Sequence, residues 1–85
     1  MTTKTAIINL RTGLDLRAAG IMCQMATAYK SHIELKAGEI TVNAKSVLSV
    51  MSVGFMRGAE VSVECAGSDE AEAAEAIAAW LETEA

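Results

Sequence analysis

The sequence has no proline, a single histidine, only two cysteines and no long uninterrupted hydrophobic run. Without proline, no turn can be built on a cis-proline peptide bond. Cys23 and Cys65 lack the Cys-x-x-Cys spacing of redox and zinc motifs and lie on predicted apolar faces, so buried free thiols are expected. His32 lies at the start of a predicted strand, faces water and has no second ligand at metal-binding spacing. A solvated histidine is therefore expected, with no metal site and no cofactor.

Basic residues are also scarce, since seven Lys and Arg oppose eleven Asp and Glu and give a formal net charge of −4. Nucleic acid or an anionic membrane surface would require clustered cations, so protein partners are expected instead. The stretch Ala6–Arg11 is too short and too polar for a signal peptide or a membrane span, which indicates a cytoplasmic protein. A chain of 85 residues that is 52% hydrophobic predicts a single domain over residues 1–85.

Alternation of apolar and polar residues predicts four strands, each with one apolar face. In the third strand, Ile40 and Val42 are expected to face inward. A turn at Ala37-Gly38 joins the second and third strands as a hairpin. The predicted strands are Lys4–Leu10, Ser31–Lys36, Glu39–Asn43 and Ala59–Ala66.

Apolar residues at helical spacing predict three helices. The first runs from Asp15 through Lys30, the second lies between a Ser46 cap and a Gly54 stop, and the third follows a cap at Ser68 or Asp69. The element order is then β-α-β-β-α-β-α. Because every strand and helix has one apolar side, the predicted fold is α+β, an open-faced sandwich of a four-stranded antiparallel sheet with three helices on one face.

The second helix is apolar almost all round, and in about two turns its apolar residues cannot all face inward. Some must be exposed, and an exposed apolar patch rimmed by polar groups is typical of a docking surface. Phe55 and Met56 in the following loop are expected to extend this patch. Its helical members are Val47, Leu48 and Met51.

The first helix begins at a glycine turn followed by Asp15, a residue type favoured at the N-cap because its carboxylate accepts the free backbone N–H groups of the first turn. Arg17 adds a cation two residues on. A helix N-terminus beside an arginine can hold a phosphate or a carboxylate. Two interpretations therefore stay open, a simple cap with a solvated arginine or an anion site. Gly20, inside the same helix, costs about 1 kcal/mol relative to alanine, which favours a close backbone approach or a partner contact there.

Several of these segments together resemble the HPr family, the histidine-containing phosphocarriers of the bacterial sugar phosphotransferase system. The resemblance covers essentially the whole chain and is most specific over residues 45–54. It implies an open-faced β-sandwich with a phosphoryl acceptor at the start of the first helix and a regulatory phosphoserine at the start of the second. The runs that carry it are Thr-Gly-Leu-Asp-Leu-Arg-Ala-Ala (12–19), Asn-Ala-Lys-Ser-Val-Leu-Ser-Val-Met-Ser-Val-Gly (43–54), Gly-Ala-Glu-Val (58–61) and Gly-Ser-Asp-Glu-Ala-Glu-Ala (67–73).

The resemblance places Asp15 at the acceptor position, where the family normally has histidine, and Arg17 at the arginine beside it. Ser46 matches the regulatory serine, and Ala18 stands where the family usually has proline. An aspartyl phosphate is a different donor from a phosphohistidine, and Asp15 has no neighbouring carboxylate in the sequence to hold Mg²⁺. The chain is similar in this respect to Crh-type members of the family, which lack the histidine, keep the serine and act as regulators.

The sequence therefore predicts a regulator and not an enzyme, phosphorylated at Ser46 with Lys45 as a cation beside the phosphate. Docking is expected through Leu16, Arg17 and Gly20 as well as the second helix. The partners implied are an HPr-type kinase/phosphorylase and a transcriptional regulator or metabolic enzyme. Two alternatives remain, a phosphocarrier acting through Asp15 and a constitutive binding module in which Asp15 mimics a phosphorylated site. The oligomeric state stays open, since relatives can exchange strands between protomers.

Overall fold

One antiparallel sheet of four strands carries the structure, a computed structural model that describes residues 1–85. The strands are β1 (Thr2–Ile7), β2 (His32–Ala37), β3 (Ile40–Asn43) and β4 (Glu60–Ala66). Their spatial order is β1-β4-β2-β3, so β4 lies in the middle of the sheet. Val63 of β4 lies opposite Lys4 on one side and Leu35 on the other.

The helices are α1 (Leu16–Thr27), α2 (Val47–Val53) and α3 (Glu70–Leu81). They cover one face of the sheet, and the other face is open to solvent. The predicted α+β fold, its element order and its antiparallel sheet are all confirmed. None of the helices has both the length and the apolar character that a bilayer crossing requires.

The core forms between the apolar face of the sheet and the helices as one cluster of 22 buried residues. Period-two alternation places every second residue of β2 and β4 in this cluster, while the 3.6-residue period selects one stripe of α1 and one of α3. The members of these strands and stripes are Ile33, Leu35, Val61, Val63 and Cys65 from the sheet, and Ala18, Ala19, Met22, Ala26, Ala73, Ala74, Ile77, Ala78 and Leu81 from the helices.

Two elements, β1 and α1, differ from their predicted bounds by more than one residue. The first strand begins earlier than the predicted Lys4, because Thr2 and Thr3 already pair with β4. It ends earlier than the predicted Leu10, because its pairing with β4 ends at Ile7 and Asn9 donates its backbone N–H to the Leu81 carbonyl at 2.8 Å. Helix α1 ends at Thr27, not at Lys30. The backbone N–H groups of Ala28 and Tyr29 donate to carbonyls three residues back instead of four, so the chain tightens there and the α-helical pattern stops.

Three expectations about single residues were wrong. Ile40 is 48% exposed, because it begins the edge strand beside the hairpin turn and has a neighbouring strand on one side only. Cys23 is half-buried, with its thiol donating to the Lys45 carbonyl at 2.8 Å, whereas Cys65 is buried as expected. Asp69 occupies the N-cap position of α3 but makes no cap hydrogen bond.

The carboxylate of Asp69 instead ties the start of α3 to the start of β2. It accepts hydrogen bonds from the backbone N–H groups of Lys30 and Ser31, both at 2.9 Å, and from the hydroxyl of Ser31. The Ser31 hydroxyl is the largest cause that lowers the pKa of Asp69 below its ordinary value. This long-range pairing satisfies Ser31, which is fully buried.

Candidate functional site

Asp15 forms the N-cap of α1, as predicted. Its Oδ1 accepts the backbone N–H of Ala18 at 2.9 Å, and its Oδ2 accepts the hydroxyl of Thr12 at 2.6 Å. The hydrogen bond from Thr12, then that from Ala18, and the nearby charge of Arg17 hold the pKa of Asp15 below its ordinary value. Both carboxylate oxygens are thus engaged within the chain, and Asp15 is held as an anion. The contribution of Thr12 was missed, although a hydroxyl residue three positions before an N-cap aspartate is a visible signal.

A glycine turn places this helix start against the loop that follows α2. Gly13 has φ +69°, and a Cβ at this position would lie 2.5 Å from the Phe55 carbonyl oxygen. The same oxygen accepts the backbone N–H of Leu14 at 2.9 Å. Since Phe55 itself is only 6% exposed, it anchors the loop and does not extend the docking surface as predicted, whereas Met56 is exposed.

Arginine residues lie before, within and beside the start of α1. The arginines of the chain are Arg11, Arg17 and Arg57, and the backbone of Arg57 lies beside Gly13. Arg57 donates to Asn9 Oδ1 at 3.0 and 3.2 Å and lies 3.4 Å from a carboxylate oxygen of Glu84. Arg11 and Arg17 are exposed and form no ion pair. This end of the molecule therefore carries two unpaired arginines beside the Asp15 carboxylate.

Ser46 forms the N-cap of α2, and its hydroxyl accepts the backbone N–H of Ser49 at 3.2 Å. Gly54 closes the helix in the left-handed conformation with φ 69°, as the glycine stop predicted. Lys45, the cation expected beside Ser46, already makes a hydrogen bond within the chain. Its ammonium donates to the Tyr29 carbonyl at 2.9 Å, because the C-terminal end of α1 offers free carbonyl groups with partial negative charge.

Exposed apolar side chains lie on both α1 and α2, which pack against each other. Leu16 is 68% exposed and Leu48 is 85% exposed, while Val47 and Met51 are half-buried. The expected split of α2 into inward and outward apolar residues is therefore observed. No atom lies within 4 Å of a Cβ built at Gly20, so the expectation of a close backbone approach at that glycine was wrong.

A groove runs between the first turns of α1 and the end of α3. Its volume is about 390 Å³, and no signal in the sequence placed α3 beside this site. Three apolar residues and three polar residues of the helix start line it together with the last residue of the chain: Ala18, Ile21, Trp80, Thr12, Asp15, Arg17 and Ala85.

The open face of the sheet carries His32, whose side chain is 59% exposed, in agreement with the expected solvated histidine. Its Nε2 lies 3.1 Å from a carboxylate oxygen of Glu34. On the same face, the ammonium of Lys36 lies 3.8 Å from Glu64. These are surface pairs, and they lie on the face of the sheet opposite to the helices.

Comparison with known proteins agrees with this geometry. The family model described as the PTS HPr component phosphorylation site matches residues 2–83. The HPr-like protein Crh of Halalkalibacterium halodurans is 36% identical over 84 residues, which is 99% of this chain and all of that protein. The HPr-like protein Crh of Bacillus subtilis is 38% identical over 77 residues, which is 91% of each chain.

Solved structures give the same result. HPr-C-His of Thermoanaerobacter tengcongensis superposes with a TM-score of 0.91 and 35% identity, over 96% of this chain and 92% of that one. The phosphocarrier protein HPr of Bacillus anthracis gives a TM-score of 0.90 and 34% identity, over 94% and 95% of the two chains. A swapped, intertwined dimer of Crh from Bacillus subtilis gives a TM-score of 0.78 and 35% identity, over 96% and 94%. With the fold and the sequence in agreement along almost its full length, the chain belongs to the HPr family of the phosphotransferase system.

Proposed function

We propose that this protein is an HPr-like regulator that docks on other proteins and is controlled by phosphorylation of Ser46. The observation that carries the proposal is that Asp15, which the family resemblance assigns to the position of the acceptor histidine, has both carboxylate oxygens engaged by Thr12 and Ala18. A carboxylate whose pKa is lowered by such bonds is a weaker nucleophile than a free one. A phosphoryl group on Asp15 would also displace the cap of α1. The relatives named HPr-like protein Crh support the regulatory role.

Ser46 is partly exposed, and its hydroxyl makes a single hydrogen bond, as the acceptor of the Ser49 N–H. A kinase can therefore reach this hydroxyl without unfolding of the core. A phosphate there would add about −1.5 to −2 units of charge at neutral pH. The Lys45 ammonium donates to the Tyr29 carbonyl and would have to leave it to pair with the phosphate, and the new charge lies at the edge of the apolar residues Val47 and Leu48. Such a change alters which partner surface fits α2.

The docking surface of the proposal consists of exposed or half-buried residues on two adjacent helices. Leu16 and Leu48 offer the large exposed apolar side chains, and Arg17 offers a cation without a partner. The remaining members are Gly20, Val47 and Met51. An apolar surface with a polar rim is typical of protein–protein docking. The proposed partners are an HPr-type kinase/phosphorylase and a transcriptional regulator or metabolic enzyme, and the protein itself acts by binding and not by catalysis.

The test is phosphorylation with ATP and an HPr-type kinase, followed by the intact mass of the native protein and of Ser46→Ala. A single phosphate on the native protein and none on Ser46→Ala is the expected result. Ser52→Ala is the matched control, since Ser52 is exposed on the same helix, and this variant should be phosphorylated like the native protein. Native protein without phosphate, or Ser46→Ala with as much phosphate as the native protein, would refute the proposal.

A second candidate function is a constitutive binding module, favoured by the permanent anion that α1 holds beside Arg17. In that case Asp15 imitates a phosphorylated acceptor, and no kinase is needed. The two functions differ in one measurement. A constitutive module binds its partner with equal affinity before and after treatment with the kinase, whereas the regulator changes its affinity on phosphorylation of Ser46.

A further inference from the structure

The side chain of Lys45 joins the end of α1 to the start of α2. Its ammonium donates to the Tyr29 carbonyl at 2.9 Å, two residues beyond the last residue of α1. Helix α1 has no basic residue in its own last turn, so Lys45 supplies the cation that the negative end of this helix attracts. Lys45 forms no ion pair with a carboxylate. Its ammonium is therefore held at the helix end by a neutral carbonyl and not by a full negative charge.

The backbone of Lys45 is fixed independently of its ammonium. Its N–H donates to Asn43 Oδ1 at 2.9 Å, and its carbonyl accepts the thiol of Cys23 at 2.8 Å. The next residue is Ser46, the N-cap of α2. Because the lysine side chain is flexible, the ammonium can leave Tyr29 by rotation of that side chain while the backbone on both sides stays in place.

A phosphate on Ser46 would compete with the Tyr29 carbonyl for this ammonium. A phosphoserine carries about −1.5 to −2 units of charge at neutral pH, whereas the C-terminal end of a helix is equivalent to about −0.5. A hydrogen bond between an ammonium and a phosphate oxygen is also charge-assisted and stronger than one to a neutral carbonyl. The phosphate on the adjacent residue is therefore the preferred partner of Lys45.

We propose that Lys45 is a switch between two partners: without phosphate its ammonium closes the end of α1 at Tyr29, and a phosphate on Ser46 draws it away from that carbonyl. The inference rests on the proposed function in that Ser46 carries the phosphate. It adds a structural consequence, since the end of α1 loses its cation when Ser46 is modified. The modification is thereby transmitted from α2 to α1 through one side chain.

The experiment places phosphoserine at position 46 of the full chain by genetic encoding, so no kinase is needed. Hydrogen exchange is then measured at the amides of Ala28 and Tyr29, which close the end of α1. Exchange should be about two- to fivefold faster with the phosphate than without it, the usual size of the effect of a cation at a helix end. The amide nitrogen shift of Lys30, which shares a peptide group with the Tyr29 carbonyl, should change on phosphorylation because that carbonyl loses its donor.

Variants of Lys45 separate the switch from other effects of the phosphate. In Lys45→Met, which keeps a long side chain without the ammonium, exchange should be fast without phosphate and should not change with it. Lys45→Arg retains a cation and should respond like the native protein. Lys30→Met is the matched control, because Lys30 is exposed at the same helix end and is bonded through its backbone only. This variant should keep the full response, and circular dichroism should show that all three variants are folded.

Three outcomes would overturn the inference. These are equal exchange with and without phosphate in the native chain, a phosphate response in Lys45→Met as large as the native one, and a response lost in Lys30→Met. The kinase assay tests whether Ser46 is modified, whereas the exchange measurement tests what a phosphate there does to Lys45. Failure of the proposed function and failure of the switch are therefore separate results.

Discussion

The backbone N–H of Leu14 donates to the carbonyl oxygen of Phe55 at 2.9 Å, and this bond joins the loop before α1 to the loop after α2. Gly58 strengthens the junction by donating its N–H to the Ile8 carbonyl at 2.7 Å. The side chains of Leu14 and Phe55 are both buried beneath it. The two helices that carry Asp15 and Ser46 are therefore held together by backbone contacts at one junction.

Gly13→Ala should destabilise the protein, because Gly13 has φ +69° and an added Cβ would lie 2.5 Å from the Phe55 carbonyl oxygen. The strain of the left-handed conformation alone costs about 1 kcal/mol or more in the free energy of unfolding, and the collision adds to it. Urea unfolding measures the loss. Gly20→Ala is the matched control, since nothing lies within 4 Å of its Cβ, and in a helix it should stabilise by up to about 1 kcal/mol. Equal effects at the two glycines would contradict the role of the junction.

Asp15→Ala should lower the unfolding midpoint, because it removes the acceptor for the Ala18 N–H and for the Thr12 hydroxyl. Asp15→Asn should preserve most of the midpoint at neutral pH, since asparagine is also a favoured N-cap residue. Thermal unfolding followed by circular dichroism distinguishes the two variants. An unchanged midpoint in Asp15→Ala would mean that the cap does not stabilise α1.

Transfer of a phosphoryl group from phosphoenolpyruvate through enzyme I should leave this protein unlabelled, because the residue that the family resemblance places at the acceptor position is Asp15, an aspartate that caps a helix. The measurement is the intact mass after incubation, with a histidine-containing HPr as the positive control. Asp15→His restores an imidazole and is expected to recover partial transfer, limited by Ala18, which stands where the family usually has proline. Hydroxylamine-sensitive phosphate on Asp15 of the native protein would instead establish the carrier alternative.

Glu70 should make stability depend on pH in the acid range. Its carboxylate accepts the Thr2 hydroxyl at 2.7 Å and lies 3.0 Å from the ammonium of Met1, and these contacts lower its pKa from 4.5 to about 2. A carboxylate with a lowered pKa in the folded state contributes stability that is present above its unfolded pKa and is lost as the pH falls through the folded value. The contribution is therefore fully present above about pH 4.5 and declines toward about pH 2.

Urea unfolding at neutral pH and at about pH 3 tests this dependence. Glu70→Gln should lose less stability than the native protein between the two conditions. Glu72→Gln is the control, because Glu72 lies in the same first turn of α3 and makes no hydrogen bond or ion pair of its own. A Glu70→Gln variant with the same pH dependence as the native protein would show that these contacts do not stabilise the folded state.

Local rules were sufficient for most of the fold. The alternation in β2 and β4, the stripe of α1 and the Gly54 stop each depend on residues within a few positions of one another, and each was predictable from the sequence. The caps at Asp15 and Ser46 also form within one helical turn, so residue type alone indicated them. The resemblance to the HPr family then supplied the expected roles of Asp15, Arg17 and Ser46.

Tertiary structure decided what depends on residues distant in the chain. Phe55 is a buried anchor of its loop and not a docking residue, and its carbonyl accepts the N–H of Leu14. Asp69 makes no cap hydrogen bond because its carboxylate accepts the N–H groups of Lys30 and Ser31, which are distant in the sequence. The ammonium of Lys45 donates to the Tyr29 carbonyl, because the C-terminal end of α1 offers carbonyl groups without partners in the helix. The groove lined by Ala18 and Trp80 likewise exists only where α3 ends beside the start of α1. Local propensity is determined within a few residues, whereas the partner of a hydrogen bond or a charge is chosen by which segments the packed sheet and helices bring together.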